Sequence, residues 1–417
     1  MQLHVDSARL FDELQHLGDI SDAPAPAVTR IVFSETDLRA RAYVKALCLE
    51  ANLEVREDAV GNTFARWSNS GTPASDPTAP AIGTGSHMDA LPHAGRYDGT
   101  VGVLGGLEAI RTLQRSGFRP RRPLELLILT AEEPTRFGIG CLGSRLLASA
   151  LAPCADETLK DKDGATLRDL RTHAGFSGNL SAVPLPRGHY AGFLELHIEQ
   201  GPLLERDGIP LGVVTAIAAP AALRLTVEGQ GGHAGAVLMP GRHDAFLAAC
   251  EIALAAESAA KSSGSIDTVA TTGICDIFPG AINSIPSRVR LELDIRDVDE
   301  VRRDLVLSKV DQACTAAEQA RGVRVSKEIL NADGPATCDP ALVETLARAC
   351  ETHAHPYRRM VSRAYHDSLF ISRIAPTAML FIPCRAGVSH RPDEYASPED
   401  IARGVLVLAE AMAELAS

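Results

Sequence analysis

At 417 residues the chain exceeds one ordinary hydrophobic core, so two domains are expected. Its 45% hydrophobic and 23% charged residues are those of a globular protein, not a disordered or membrane-embedded one. The net charge of -12, with no basic run, argues against nucleic acid or an anionic membrane as partner, and an anionic substrate would need a dedicated local cation.

Apolar spacing predicts helices over 7–17 and 36–52, separated by the Pro-rich loop SDAPAPAVTR. Residues 53–66 alternate about Gly61-Asn62, a hairpin pattern, and SNSGTPASDPTAP (68–80) reads as a polar surface loop. Residues 81–86 predict a short strand that delivers His87. The stretch that follows, GSHMDALPHAGRYDG (85–99), holds Ser86, His87, Asp89, His93 and Asp98 among glycines. Thr100 is the expected N-cap of a helix carrying Val103, Leu104, Leu107, Ile110 and Leu113, closed at Gly117. LELLILT (124–130) is a continuous apolar run, as in a parallel strand buried on both faces, and it leads into Glu132 and Glu133. FLELHIEQG (193–201) repeats the pattern with His197, Glu199 and Gln200, and AMLFIPCRAGVSHRPDE (378–394) with His390 and Glu394. Four strands thus end in histidines or carboxylates, where active sites of open α/β sheets lie.

Between these lies a different texture. Strands are predicted at 223–229, 268–275, 287–297 and 322–328, and helices at 241–261 and 299–320. The order βαββαβ is that of a ferredoxin-like sandwich. The expected architecture is therefore α/β. A mixed central sheet flanked by helices is formed by 1–213 and 329–417, interrupted by an inserted α+β domain at 214–328. The nine cysteines are scattered and lack a CxxC pair, which suits thiols in a reducing compartment. The first residues show no apolar leader core and no stretch approaches a membrane span, so a cytoplasmic protein is expected.

His87, Asp98, Glu133, His197 and His390 form a set of nitrogen and carboxylate donors without sulfur, suited to Zn²⁺, Mn²⁺, Co²⁺ or Ni²⁺. Five donors, one an Asp able to bridge, match two ions about 3.5–4 Å apart that activate a water and polarise a carbonyl. Asp89 is placed to accept the second N–H of His87 and fix its tautomer. Of Glu132 and Glu133, one can bind metal while the other takes the water's proton and hands it to a leaving nitrogen. Each motif alone also reads as an ordinary polar loop or solvated turn.

GSHMDA, GRYDG, AEEPTRFG, ELHIEQGPLLE, GGHAG, INSIP and GVSHRPDE, in this order, resemble the dinuclear-metal aminoacylase and carboxypeptidase superfamily. Within it the chain is similar to the amidohydrolases of ureido compounds, which act on N-carbamoyl-L-amino acids, allantoate or ureidoglycolate. His197 stands where peptidase relatives have a carboxylate. EEPTRFGIGCLGSRLL, SRAYHDS and FIPCRAGVSHRPDEYASPED look most like the ureidoglycolate branch, whereas the other branches usually carry a Gly-Ala-Gly-His-Asp type sequence at Ala364-Tyr365-His366-Asp367.

The resemblance implies that His87 and His197 hold one metal, Glu133 and His390 the other, and that Asp98 bridges them. It makes Glu132 the base, Asp89 the orienter of His87, and His233 the group that polarises the attacked carbonyl. Gln200, Asn283, Arg296 and His366 would contact the substrate, with Tyr365 as a pocket wall or else a core tyrosine. For Arg296 a surface salt bridge is the competing reading. The resemblance further implies Mn²⁺ as the metal, a homodimer through the inserted lid domain, and conversion of a small ureido substrate, ureidoglycolate, to glyoxylate, ammonia and CO₂. The alternatives are an N-carbamoyl-L-amino acid or allantoate amidohydrolase and, in another class, a catalytically inactive binding protein on the same fold.

Overall fold

A computed structural model describes residues 2–68, 76 and 78–417. The loop reading at 68–80 falls largely on 69–75 and 77, outside the described residues. Two compact units make up the chain. The first is Met1–Thr215, Thr337–Met360 and His366–Ser417; the second is Ala216–Ala336 and Val361–Tyr365.

The first unit opens with α1 (Ser7–Asp19), β1 (Val28–Arg30), α2 (Glu35–Glu50), and the hairpin β2 (Glu54–Glu57) and β3 (Thr63–Trp67). There follow β4 (Ala81–His87), β5 (Ala90–Ala94), α3 (Thr100–Arg115) and β6 (Leu124–Leu129). Short helices α4 (Leu142–Leu147), α5 (Ala155–Thr158) and α6 (Leu167–His173) precede β7 (Tyr190–Ile198), α7 (Leu203–Asp207) and β8 (Leu211–Ile217). The second unit contributes β9 (Ala219–Glu228), β10 (Gly232–His233), α8 (Ala245–Lys261), β11 (Val269–Phe278), β12 (Ser284–Ile285), β13 (Arg288–Asp297), α9 (Glu300–Arg321) and β14 (Arg324–Ala332). The chain returns through β15 (Ala336–Thr337), α10 (Pro340–Thr352), β16 (Tyr357–Ser362), α11 (Ser368–Ile371), β17 (Thr377–Ile382) and α12 (Pro398–Leu415).

The large sheet has the order β15-β8-β17-β7-β4-β6-β3-β2, with β16 paired to β8. Its central strands β17, β7, β4 and β6 are parallel, and the antiparallel pairs β17–β8 and β6–β3 make it mixed. Every residue of β4, β6 and β17 is buried, as strands covered on both faces require. Register sets the strand ends level: His87 lies beside Leu129, and His197 beside Phe381. Helix α3 packs so close to the sheet that a Cβ at Gly102 would sit 2.5 Å from the Leu196 carbonyl oxygen. Thr100 is the first helical residue, not the cap. Gly99 caps α3 with φ +66, because a Cβ there would meet the His87 carbonyl at 2.5 Å. The Thr100 hydroxyl donates instead to the Arg96 carbonyl.

In the second unit the sheet β11-β13-β9-β14 is antiparallel throughout, the strand order of a ferredoxin-like sandwich. Leu223, Leu225, Val227, Leu291, Leu293 and Ile295 pack with α8 residues such as Ile252 in its core. The alternate residues are polar and ion-paired, as in Arg224 with Glu292 and Glu328. Several expected limits shift: β9 begins already at Ala219 and β11 runs on to Phe278. Asp244 caps a helix that starts at Ala245, because 239–241 already forms a 3-10 turn, and the last strand runs on to Ala332. Among the described residues, no helix is long and apolar enough to cross a membrane.

Candidate active site

The predicted donors converge at the C-terminal ends of the parallel strands. Sharp turns take them there: Ala131, Cys141, Gln200 and His390 all have φ between 55° and 59°. Left-handed backbone at non-glycine residues costs about 1–3 kcal/mol each and collects at functional sites.

Asp98 is the hub. Its Oδ1 lies 3.5 Å from His87 Nε2 and 3.2 Å from His197 Nε2; its Oδ2 lies 3.1 Å from His390 Nε2. His390 Nε2 is also 3.7 Å from a Glu133 oxygen. Two overlapping groups result, His87–Asp98–His197 and Asp98–Glu133–His390, each with its ligand atoms within 4.8 Å of one another. Glu132 approaches His87 Nε2 to 3.8 Å from the side.

Backbone carbonyls orient both buried rings. His87 Nδ1 faces the Asp89 carbonyl at 3.1 Å and His197 Nδ1 the Ile198 carbonyl at 2.9 Å. Each Nδ1 is thereby engaged, and each Nε2 faces Asp98. The expected Asp89 carboxylate contact to His87 is replaced by this carbonyl. The carboxylate stays 3.7 Å away and accepts the backbone N–H groups of Glu132 and Glu133 at 3.2 and 3.1 Å. It therefore shapes the Glu132-Glu133 turn, which must bend straight off β6.

The donor set fits divalent cations. Burial, with Asp98 adding to it, pushes Glu133 up to about 8; burial, with Glu133, Asp367 and Asp98 adding, raises Glu132 well above the usual carboxylate range. Asp98 is buried too, yet hydrogen bonds from His197, His390 and His87 hold it well below that range. Ionising these acids together is costly unless cations offset the charge. Imidazole and carboxylate with no thiolate suit first-row divalent ions.

Several supporting groups were not singled out from sequence. Glu195, in the middle of β7, is buried and accepts the Ser86 hydroxyl at 2.7 Å and the Ser368 hydroxyl. The Cys141 thiol donates to Glu132 Oε1 at 3.5 Å. Asp367 is fully buried and accepts from Ser144, and its second oxygen has no hydrogen bond among the described residues. A lone carboxylate within an apolar strand, as at Glu195, was a usable signal; the other two carried none.

Gln200 donates through Nε2 to Asp98 Oδ2 at 2.7 Å, and its buried carbonyl oxygen has no hydrogen-bond partner among the described residues. The His366 ring is buried against His197, with centroids 4.6 Å apart. His93 is exposed, and its backbone N–H goes to Thr29. In the second unit, β10 pairs with β12, and Ala234 N–H donates to the Asn283 carbonyl, so exposed His233 and Asn283 share one small ribbon. Arg296 lies on the polar face of β13, where its guanidinium grips Asp294 through two bonds of 2.8 and 2.9 Å. The Tyr365 hydroxyl donates to Asp333 at 2.7 Å.

A mixed α/β sheet that gathers three histidines and three carboxylates at its strand ends has the build of a metal-dependent hydrolase. The sequence matches Peptidase family M20/M25/M40 over residues 83–414. An Arabidopsis thaliana protein named ureidoglycolate hydrolase is 51% identical over 99% of this chain and 87% of its own length. An N-carbamoyl-L-amino acid amidohydrolase of Geobacillus stearothermophilus is 36% identical over 99% of both chains. A crystal structure of AtUAH in complex with glyoxylate superimposes with a TM-score of 0.91 at 50% identity, covering 99% of this chain and 98% of that one. The chain belongs to peptidase family M20/M25/M40, and it is a hydrolase of C–N bonds. This family generally binds divalent metals, in keeping with the donor groups gathered here.

Proposed function

We propose that the protein hydrolyses the ureido group of ureidoglycolate. The observation that carries this reading is the full-length identity of 51% to a protein named ureidoglycolate hydrolase. A second structure of AtUAH, in complex with (S)-hydroxyglycine, supports it at a TM-score of 0.91. In sum, one ureidoglycolate and one water give glyoxylate, CO₂ and two ammonia.

His87 and His197 would hold one ion and Glu133 and His390 a second, with Asp98 shared; Mn²⁺ is our assignment. The bound ions supply Lewis acidity toward the ureido oxygen and the attacking water. Glu132, beside the cluster but outside both donor groups, takes the water's proton and delivers it to the departing nitrogen. The open carbonyl oxygen of Gln200 accepts a ureido N–H. Asp89 keeps its part as orienter through the backbone it holds. His233 polarises the attacked carbonyl, Asn283 adds a neutral donor, and Tyr365 and His366 meet the hydroxyl-bearing side of the substrate. Ammonia release measured after chelation and Mn²⁺ reloading tests the whole reading. Chelation is expected to abolish turnover, Mn²⁺ to restore it, and ureidoglycolate to outrun allantoate and N-carbamoylglycine. Equal turnover of either competitor would leave only the broader amidohydrolase reading, and full activity without metal would refute the site.

Arg296 is assigned to the substrate carboxylate, since a chain of net charge -12 needs a specific cation for it. Exchange of Asp294 for the substrate would reuse the same two-pronged geometry. Losing one partner of a desolvated ion pair corresponds to about 30-fold to several thousandfold in kcat/KM. Arg296→Ala is expected to fall in that range while keeping its metals, and unchanged kcat/KM would remove Arg296 from the site.

We also propose that the second unit serves as lid and forms a homodimer, with His233 acting in the partner's site. Support comes from β11, an edge strand, and from Leu238, Met239, Phe278 and Ile282, all exposed in this unit. Mixing Glu132→Gln with His233→Ala subunits should recover part of the activity. No recovery despite demonstrated subunit exchange would overturn the shared site. Nine free thiols support a reducing, cytoplasmic setting.

A further inference from the structure

Asp98 and His390 lie on different loops, one between β5 and α3, the other between β17 and α12. Glu394, buried and only a few residues beyond His390, joins them. Its Oε1 accepts the backbone N–H groups of Tyr97 at 2.8 Å and Asp98 at 3.1 Å. Its Oε2 accepts the Ser389 hydroxyl at 2.9 Å. That hydroxyl also lies 3.0 Å from Asp98 Oδ2, and Gln200 Nε2 donates both to Asp98 and to Ser389. The backbone is pressed against this carboxylate: a Cβ on Gly95 would come within 2.3 Å of Glu394 Cδ. Aromatic contact seals the same seam, with Tyr97 edge-on to Tyr395 at 6.0 Å.

From this geometry we propose that Glu394 is a positioning residue, which sets the ion affinity of the cluster by locking the Asp98 loop to the His390 loop. The inference rests on the dinuclear reading given above. Two buried N–H donors converge on one carboxylate oxygen, so Asp98 cannot rotate away from His390 without leaving both unsatisfied. Ser389 extends the same hold to the Asp98 side chain through Gln200, whose amide donates to both. Among the described residues Glu394 bonds the backbone of Tyr97 and Asp98 and the Ser389 hydroxyl rather than a proposed ligand atom, so its effect passes through Asp98 and Ser389.

Calorimetric titration of Mn²⁺ into metal-stripped protein tests this, with circular dichroism as the check on folding. Wild-type protein is measured first: failure to take up two ions would refute the dinuclear reading itself, independently of Glu394. Given two ions, Glu394→Ala is expected to weaken at least one by about 10- to 100-fold. Glu394→Gln keeps an oxygen for the two N–H groups and is expected to stay within about threefold of wild type. Activity at saturating Mn²⁺ should recover in both. A folded Glu394→Ala protein with wild-type affinities overturns the proposal, as does a glutamine variant no tighter than the alanine one. If Glu394→Ala does not fold, Ser389→Ala decides. Its loss of one hydroxyl should weaken one ion by about two- to tenfold, and unchanged affinity overturns the proposal.

Discussion

Glu132→Gln is expected to retain both metals and the fold yet lose about 10²–10⁴-fold in kcat. The turn that carries it is held by backbone bonds, from the N–H groups of Glu132 and Glu133 to Asp89 and between Cys141 N–H and the Glu132 carbonyl. None depends on the Glu132 side-chain charge. The Cys141 thiol can donate to an amide oxygen as well as to a carboxylate. Glutamine therefore fits the place but cannot take a proton from water. Metal content and kcat measured on the same preparation check this; a variant with near wild-type kcat would show that Glu132 is not the base.

Asp98→Ala should lose both ions and, with them, all measurable turnover. Asp98 alone lies within 3.5 Å of His87, His197 and His390, so its removal strips a shared donor from both groups. His390 serves as the contrast. Its side chain is 48% exposed at the rim and approaches only Asp98 and Glu133 among the donors, so His390→Ala should weaken mainly one ion. Elemental analysis after dialysis distinguishes the cases, and two tightly held ions in Asp98→Ala would refute the shared role.

What could be read from the sequence, and what could not, divides by range. The central strands were legible because unbroken apolar runs such as LELLILT have no other stable place than the middle of a covered sheet. Glu133, His197 and His390 drew notice because each follows or ends such a run, and Asp98 because it stands in the glycine-flanked loop after His87. Glu394 was visible only as a residue, since its backbone partner Tyr97 lies 297 positions away and no spacing rule spans that distance. The Asp89 reading took the nearest carboxylate for the ring's partner, although the carbonyl of the same residue was equally close in sequence and better aimed. Thr100 carried the chemistry of a cap, but the crowding of Gly99 against His87 decided where the helix starts.

The strand order also fixes when the site comes into being. His87, Asp98, Glu133 and His197 all precede the second unit, whereas His390 follows it. The strand leading to His390, β17, fits between β7 and β8, which are both made far earlier. A chain still emerging from the ribosome therefore carries two strands whose common neighbour has yet to be synthesised. Their unpaired edges invite wrong pairing until residues 377–382 arrive. The proposed centre would thus close only late in synthesis, and a chain cut short between His197 and His390 would carry four of the five proposed donors without the last.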